Sequence, residues 1–159
     1  MKSAIIAAVF GLIGLLPAAS PAQAAGAEDC AGKPSGAKLT VQVTGVRASK
    51  GQVAVTVYPN DPNRFLAPHG KLARVRATAQ APTTTACFWL PAPGAYAVAV
   101  YHDENGNNTF DRSALGLPAE GFGFTNNPRT PTGLPPLSAV RFNTTGAETT
   151  VRIKLRYLS

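Results

Sequence analysis

The segment GAYAVAVYHDENGNNTFD, residues 94–111, decides the fold and also carries the most informative polar residues of the chain. Its first half, residues 95–101, alternates Ala with Tyr and Val and is small or apolar on both faces. A strand of this kind lies in the middle of a sheet, because both of its faces are covered. Side-chain oxygens begin directly afterwards at Asp103. The sequence therefore predicts a central strand that ends in a polar loop at the rim of a sheet.

Alternation of apolar and polar residues extends outward from this segment with the period of two that is typical of strands. It occurs in residues 39–44, 52–58, 73–78, 85–90, 95–101, 140–142 and 151–157. Gly and Pro residues punctuate the chain between these runs, and no helical period interrupts them. We therefore predict an all-β protein, a single seven-stranded β-sandwich of the Ig-like or transthyretin-like type over residues 38–158. The Gly/Pro/Asn-rich stretch 112–137 predicts a long loop.

The beginning of the chain has the features of a signal peptide. Lys2 is followed by an apolar run at residues 4–16, and residues 22–24 (AQA) form a small-x-small cleavage site. The apolar run is shorter than the roughly 20 residues that span a bilayer, and no second long run follows it. We expect a signal peptide over residues 1–24 that is cleaved near Ala24. The mature chain is then expected to have no transmembrane segment and to be periplasmic or secreted.

The two cysteines, Cys30 and Cys87, predict one disulfide bond. Proteins of an oxidising compartment pair an even number of cysteines, and only one pairing is available here. Cys30 belongs to a Gly/Ala/Pro-rich N-terminal arm, residues 25–37, which we expect this bond alone to hold. Because the sequence has no C-x-x-C pair and no Cys-His cluster, zinc or catalytic cysteine chemistry is not indicated.

The chain carries a formal net charge of +7, which favours anionic partners such as polymers of the cell envelope. Basic residues fall at alternate positions of the predicted strands: Arg74, Arg76, Arg141, Arg152, Lys154 and Arg156. They form either a binding surface for anionic envelope components or the solvated faces of a sheet, which need charged residues in any case. We favour the solvated faces. No Lys/Arg block or aromatic ladder is present, so no nucleic-acid partner is expected.

Side-chain oxygens recur at every second position after the central strand, at Asp103, Asn105, Asn107, Thr109 and Asp111. Hard cations such as Ca²⁺ bind several oxygens on a tightly curled loop, and this spacing matches an EF-hand-type loop. Thr109 would offer its backbone carbonyl. The twelfth position is Ala114 instead of the usual bidentate Glu, so the pattern predicts a Ca²⁺ site of millimolar affinity.

The same loop also has an interpretation without a metal. Asp and Asn side chains stabilise turns by accepting hydrogen bonds from nearby backbone amides, so the loop can be a series of Asx turns. For the Ca²⁺ interpretation, the carboxylate that is missing at the twelfth position could come from Glu104 or Glu120, but only if tertiary folding brings one of them to the loop. The sequence leaves the Ca²⁺ site and the Asx turns equally open.

Residues 94–107 and 116–127 together resemble the bacterial domain of unknown function 2141 family (DUF2141). The stretches GAYAVAVYHDENGN and GLPAEGFGFTNN follow the family pattern GxYAVxxxHDxNxNxxxDxxxxGxPxEGxGFSN. Thr125 stands where Ser is usual, and Asn108 replaces a common Gly. The resemblance covers residues 38–157 and implies an exported β-sandwich, and it assigns no activity and no catalytic residue.

Three functions are compatible with this sequence. The favoured one is an exported non-enzymatic β-sandwich domain with a binding or structural role in the cell envelope, because polar loops on a rigid scaffold suit that use. A metal-assisted hydrolase is the second, since His102, Asp103 and Glu120 are groups that such chemistry needs together. No H-E-x-x-H or G-x-S-x-G motif supports it. The third is a binder of anionic envelope polymers through basic sheet faces.

The pair Phe122 and Phe124 in the GFGF stretch has two interpretations. The rings line a ligand groove with Tyr101 or Trp89, or they cover an otherwise exposed face of a sheet. We favour the covering role, because burying two Phe side chains stabilises a fold by several kcal/mol.

Overall fold

A computed structural model describes residues 30–130 and 134–158, and the predicted signal peptide and the first residues of the arm lie outside that part. The strands are β1 (Lys38–Thr44), β2 (Gln52–Pro59), β3 (Ala73–Thr78), β4 (Thr83–Trp89), β5 (Gly94–Asp103), β6 (Gly121–Phe124), β7 (Phe142–Thr144) and β8 (Glu148–Lys154). One short helix, α1 (Leu137–Val140), precedes β7. Across these described ranges, no helix is long and apolar enough to cross a membrane.

The strands form two sheets, which confirms the predicted all-β class. The smaller sheet has the order β4-β1-β8, with β1 antiparallel to β4 and parallel to β8. The larger sheet is antiparallel, with the order β3-β2-β5-β6, and β7 also pairs with β5. Because β5 has neighbours along both of its edges, the prediction of a central strand at residues 95–101 is confirmed.

One cluster of buried apolar side chains contains residues of both sheets, so the sheets share a core. Val41 and Val43 of β1 are fully buried, and so are Val55 of β2 and Val98 of β5. Burial of each such side chain contributes roughly 1.5–3 kcal/mol to stability. One face of the five-stranded sheet packs on this shared core, so its other face points away from the smaller sheet. We call that face the outer face.

The predicted count of seven strands is wrong, because the described residues contain eight. The additional strand is β6, which lies in the stretch predicted to be a long loop and pairs with β5. Glycine has a low strand propensity, so GFGF has no clear strand signal. The structure requires these glycines, since a Cβ at Gly121 would clash with the Tyr157 ring and one at Gly123 with Ile153.

The N-terminal arm is attached along β4. Cys30 and Cys87 lie in disulfide geometry, with their sulfur atoms 2.07 Å apart, as the cysteine count predicts. The Ala31 N–H also donates to the Cys87 carbonyl at 3.0 Å, and the Ala31 carbonyl accepts from the Trp89 N–H at 2.8 Å. The expectation that Cys30 alone holds the arm is therefore wrong for residues 30–37.

Candidate functional site

Asp103 ends β5 with a fully buried carboxylate that organises the polar loop. Its Oδ1 accepts the backbone N–H groups of Gly106 at 2.7 Å and Asn107 at 3.1 Å. Its Oδ2 accepts the N–H of Asn108 at 2.8 Å. Gly106 and Asn108 have φ of 73° and 67°, in the left-handed region that Gly and Asn tolerate. The loop therefore folds around Asp103 as a series of turns.

Two side chains, one from β2 and one from β3, also lie close to the Asp103 carboxylate. The Nε2 of Gln52 donates to Oδ2 at 2.8 Å, and Nη1 of Arg76 lies 3.6 Å from the same oxygen. Burial opposes ionisation of Asp103, but the hydrogen bonds from Gln52 and from the loop amides outweigh it and lower its pKa. The carboxylate thus stays ionised while it holds two strands and the loop together.

Asp111 is the centre of a second group of polar side chains. Its carboxylate accepts hydrogen bonds from Asn105 Nδ2 at 2.7 Å, from Asn107 Nδ2 at 2.8 Å and from Thr109 Oγ1 at 3.0 Å. These bonds lower the pKa of Asp111. The side-chain oxygens of Asn105 and Asn107 accept the backbone N–H groups of Asn107 and Thr109 instead, at 3.0 and 2.9 Å. The five predicted ligands therefore share one loop but are hydrogen-bonded around two carboxylates.

Glu120 precedes β6 and is buried beside both carboxylates. Its Oε2 accepts the backbone N–H of Asp111 at 3.2 Å, whereas its Oε1 is buried without a hydrogen-bond partner among the described residues. Burial raises the pKa of Glu120, and the charges of Asp103 and Asp111 raise it further. The tertiary fold thus brings this third carboxylate to the loop, where an ionised Glu120 lowers stability.

Replacement of Glu120 by Gln is expected to stabilise the protein at neutral pH. A carboxyl group whose pKa is raised by folding costs stability when the pH lies above its unfolded pKa, and Gln removes that charge while it retains an acceptor for the Asp111 N–H. Urea unfolding at pH 7 should show the Glu120→Gln variant to be more stable than wild type. Below about pH 3, where Glu120 is protonated in both the folded and the unfolded state, the two curves should converge. A destabilised variant at pH 7 would contradict the account.

His102 points to the opposite face of β5 from Asp103, as neighbouring residues of a strand do. Its imidazole is fully buried, with Nδ1 2.7 Å from the Tyr157 hydroxyl and Nε2 2.8 Å from the Lys50 carbonyl. Asp103 is also inaccessible, and Glu120 is only 6% exposed. The three residues of the hydrolase alternative therefore do not form one group that a substrate can reach.

The basic residues singled out in the sequence are divided between the two sheets. Arg74 and Arg76 lie on β3, whereas Arg152 and Lys154 lie on β8 of the smaller sheet. Arg76 contacts the polar loop, because its Nη2 donates a hydrogen bond to the Asn108 carbonyl at 2.7 Å. The other two lie outside the strands, Arg141 between α1 and β7 and Arg156 after β8, so the six residues do not share one sheet.

A groove of about 310 Å³ lies on the outer face of the five-stranded sheet, where the sequence offered a ligand groove only as the less favoured interpretation of Phe122 and Phe124. Thr56 of β2 and Ala99 of β5 are cross-strand neighbours that line it. Their small side chains leave space between Tyr58 and Tyr101, which also line the groove. A larger side chain at residue 99 would fill this space.

Aromatic side chains form one wall of the groove. The ring centroids are 5.4 Å apart for Tyr101 and Phe110, 6.2 Å for Phe110 and Phe122, and 6.2 Å for Phe122 and Phe124. Phe122 and Phe124 are 8% and 6% exposed, so the prediction that they cover a sheet face is confirmed. They line the groove as well, and Tyr101 joins them, whereas Trp89 lies on β4 of the other sheet. Mutual packing makes this wall rigid.

Exposed leucines surround the groove. Large apolar side chains that are exposed in the described part of the chain are Leu72, Leu115, Leu117, Leu134 and Leu158. Leu117, Leu134 and Leu158, each more than half exposed, line the groove. Single exposed leucines are ordinary, but several around one concave surface indicate a place where an apolar ligand binds.

A family model described as "Uncharacterized protein conserved in bacteria" (DUF2141) matches residues 41–152 of this chain. The matched residues include most of both sheets, the polar loop and the aromatic wall of the groove. No curated protein and no solved structure matches the chain.

Proposed function

The chain belongs to the DUF2141 family of uncharacterized proteins conserved in bacteria, and from this premise we propose that it is an exported, non-enzymatic binding domain of the cell envelope whose ligand site is the outer-face groove. The observation that carries the proposal is the groove itself. It is concave, its aromatic wall is packed in advance, and its volume of about 310 Å³ falls at the lower end of small-molecule sites. A ligand therefore meets a preformed apolar surface with few polar groups.

Export is supported by the signal-peptide pattern of residues 1–24 and by the disulfide geometry of Cys30 and Cys87. Disulfide bonds persist in the periplasm and outside the cell, where the redox environment is oxidising. The sandwich architecture belongs to the same proposal, because the two sheets share one core, and we retain the Ig-like or transthyretin-like type for it.

The alternatives receive less support from the geometry. A hydrolase needs reacting groups that touch a substrate, and both ring nitrogens of His102 contact protein groups in a buried position. A binder of anionic envelope polymers needs one continuous basic surface, but the basic residues are divided between β3 and β8.

The binding function is tested by filling the groove. Ala99→Phe places a ring in the space beside Thr56, whereas Ala95→Phe adds the same ring on the same face of β5 outside the groove lining. Saturation-transfer NMR with a mixture of apolar fragments of positive, zero and negative charge is the measurement. Fragments that bind wild type and Ala95→Phe should lose binding to Ala99→Phe.

The exposed-rim variant Leu117→Ser keeps this test decisive if Ala99→Phe fails to fold. Leu117 is 54% exposed, so its replacement should leave the melting temperature unchanged and weaken fragment binding. Binding of the same fragments with unchanged affinity by both groove variants would contradict the proposal, and so would the absence of binding to wild type.

A calcium-stabilised loop is a second proposal for residues 103–111. Two observations favour it, the side-chain oxygens at alternate positions and the buried, unpartnered Oε1 of Glu120 beside Asp103 and Asp111. Within the described ranges, however, no three His, Cys, Asp or Glu side chains are grouped as they are around a metal. In addition, the side-chain oxygens of Asn105 and Asn107 accept backbone N–H groups in this structure. The proposal therefore requires these two oxygens to turn away from the backbone.

Under this second proposal, Ca²⁺ at about five times its dissociation constant should stabilise the protein by about 1 kcal/mol and raise the melting temperature by about 4 °C. Asp111→Asn should abolish the increase, because it removes the exposed charge and preserves the shape of the side chain. Thermal scans with Ca²⁺, with chelator, and with Mg²⁺ at equal ionic strength separate binding from screening. Identical scans would leave the loop as a hydrogen-bonded series of turns.

A further inference from the structure

We propose that the outer-face groove binds a small amphiphilic anion, a carboxylate with an apolar tail, and that Arg74 and Arg112 supply the positive charge that selects it. This inference rests on the proposed binding function and adds the class of ligand. It follows from three features of the groove, namely the sign of its charge, the position of each arginine and the apolar surface opposite them.

The charged residues that line the groove are of one sign. Arg74 and Arg112 are both part of the lining, and no Asp or Glu of the described chain belongs to it. In residues 30–130 and 134–158, the ion pairs of arginine involve Arg47 and Arg76, not the two arginines of the groove. Two positive charges that have no carboxylate partner among the described residues, beside a low-dielectric aromatic wall, attract an anion and repel a cation.

Arg74 is oriented over the groove by a hydrogen bond to the sheet. Its Nε donates to the Thr56 hydroxyl at 2.8 Å, and Thr56 is only 2% exposed, so this anchor is buried. Thr56 and Arg74 are cross-strand neighbours, which sets the direction of the arginine side chain across β2. The bond uses Nε, and the guanidinium also lies beside the Tyr58 hydroxyl, but it forms no ion pair with a carboxylate of the described residues. A guanidinium presents N–H groups in pairs that match the two oxygens of a carboxylate.

Arg112 enters the groove from the loop that follows the polar turns. Its Nη1 donates to the Gly116 carbonyl at 2.9 Å, and its guanidinium carbon lies 5.3 Å from the centroid of the Phe110 ring. This cation–π contact holds the charge against the aromatic wall. Arg112 therefore adds positive potential where the aromatic surface begins.

The remainder of the groove suits an aliphatic tail. Phe122 and Phe124 form the wall, and the exposed Leu117, Leu134 and Leu158 lie around it. Removing apolar surface from water is favourable, so these leucines favour a ligand with a hydrocarbon tail. A volume of about 310 Å³ fits a small molecule rather than a folded partner. The groove thus combines an apolar surface with a cationic anchor.

The test compares ligands that share one tail and differ in head-group charge. Decanoate and decyltrimethylammonium below their micellar concentrations, and decanol below its solubility limit, are titrated into the purified protein by calorimetry. Decanoate should bind with one site per chain and at least about tenfold more tightly than decanol, because a charge-assisted hydrogen bond is worth more than a neutral one. Decyltrimethylammonium should bind most weakly. Added salt should weaken the binding of decanoate and leave that of decanol unchanged.

Variants assign the charge to the two arginines. Arg74→Gln and Arg112→Gln should each weaken decanoate about fivefold or more and leave decanol unaffected, since each removes one charge from the groove. Arg141→Gln removes the same charge from an exposed position outside the groove and should change neither ligand. Equal affinities of wild type for the three ligands would overturn the anion proposal. Unchanged decanoate binding in both groove arginine variants would also overturn it.

The outcome for Ala99→Phe separates this inference from the binding function on which it depends. If decanol or decyltrimethylammonium binds as tightly as decanoate and Ala99→Phe abolishes all binding, the groove is a ligand site but not one for anions. If Ala99→Phe binds decanoate like wild type, the ligand occupies another surface and both proposals fail.

Discussion

Asp103→Ala is expected to lower the free energy of unfolding by about 3–5 kcal/mol, the range measured when one partner of a buried charged network is removed. The carboxylate is 0% exposed and accepts the backbone N–H groups of Gly106, Asn107 and Asn108. Truncation leaves these donors without their acceptor, and it leaves Arg76 without the carboxylate that lies 3.6 Å away. The cost of unsatisfied buried groups exceeds the net gain from an ordinary hydrogen bond, so a large effect follows.

Urea unfolding in the presence of chelator measures this effect without any contribution from metal. Asp61→Ala is the matched control, because the Asp61 carboxylate accepts one backbone N–H, that of Asn63, in an exposed turn. That control should cost about 1 kcal/mol or less. If the two aspartates cost the same amount, the polar loop is not organised by Asp103.

The pH dependence of this effect has a defined sign. Because the folded-state pKa of Asp103 is lowered, its contribution is present above its unfolded pKa and is lost as the pH falls through the folded value. The stability difference between wild type and Asp103→Ala should therefore be constant from pH 7 to about pH 4 and should shrink below that. Urea unfolding at a series of pH values measures it.

Removal of the disulfide bond is the second large perturbation. Cys30 and Cys87 are 57 residues apart, and closing a loop of that length restricts the unfolded chain by about 4 kcal/mol in the chain-entropy model. The Cys30→Ala/Cys87→Ala double variant should lose roughly 2–4 kcal/mol of stability. The strand-like bonds of Ala31 to β4 also depend on the arm being held, so hydrogen exchange of the Ala31 and Trp89 amides should become faster.

Reductant provides the control for this second effect. Dithiothreitol should destabilise the wild-type protein by the same amount and should leave the double variant unchanged. Equal stability of the oxidised wild type and the double variant would contradict a bond that closes the 57-residue loop.

The strands that could be predicted from the sequence are those in which β-branched residues alternate with polar ones. Val41 and Val43 in β1 and Val53 and Val55 in β2 give an unambiguous period of two, and all four are buried. β6 lacks this signal, because Gly121 and Gly123 occupy its inward positions. Those glycines are required by residues of the distant C-terminal strand region, which a local pattern does not contain.

The oxygen-bearing residues of the polar loop and its Asx turns could be predicted from the sequence, but not the side chains from other strands that contact it. Spacing alone allowed a Ca²⁺ site and Asx turns equally. The surroundings of Asp103 include Gln52, which donates a hydrogen bond to it, and Arg76, which lies 3.6 Å from it, and both reach Asp103 only because β2 lies between β3 and β5. Strand order depends on long-range pairing, so no local motif predicts which side chains surround this carboxylate.

The sequence suggested a groove beside Phe122 and Phe124 only as an alternative, and the rest of its lining could not be predicted for the same reason. Its lining joins Thr56 of β2, Ala99 of β5 and Arg74 of β3 with the loop at residues 110–118 and with Leu134 and Leu158. Each of these residues is ordinary in its own segment. The sequence did contain one signal for the groove. Every second residue in the first part of β5 is Ala and points outward next to aromatic residues, which indicates space on that face of the sheet.

Chemical-shift mapping of the backbone amides during a titration with decanoate locates the ligand on the protein surface. The groove account predicts saturable shifts at Thr56, at Arg74, at Ala99, across β6 and in residues 110–118, with no change in the β4-β1-β8 sheet. Shifts centred on the smaller sheet, or scattered without saturation over the whole surface, would contradict a ligand site on the outer face.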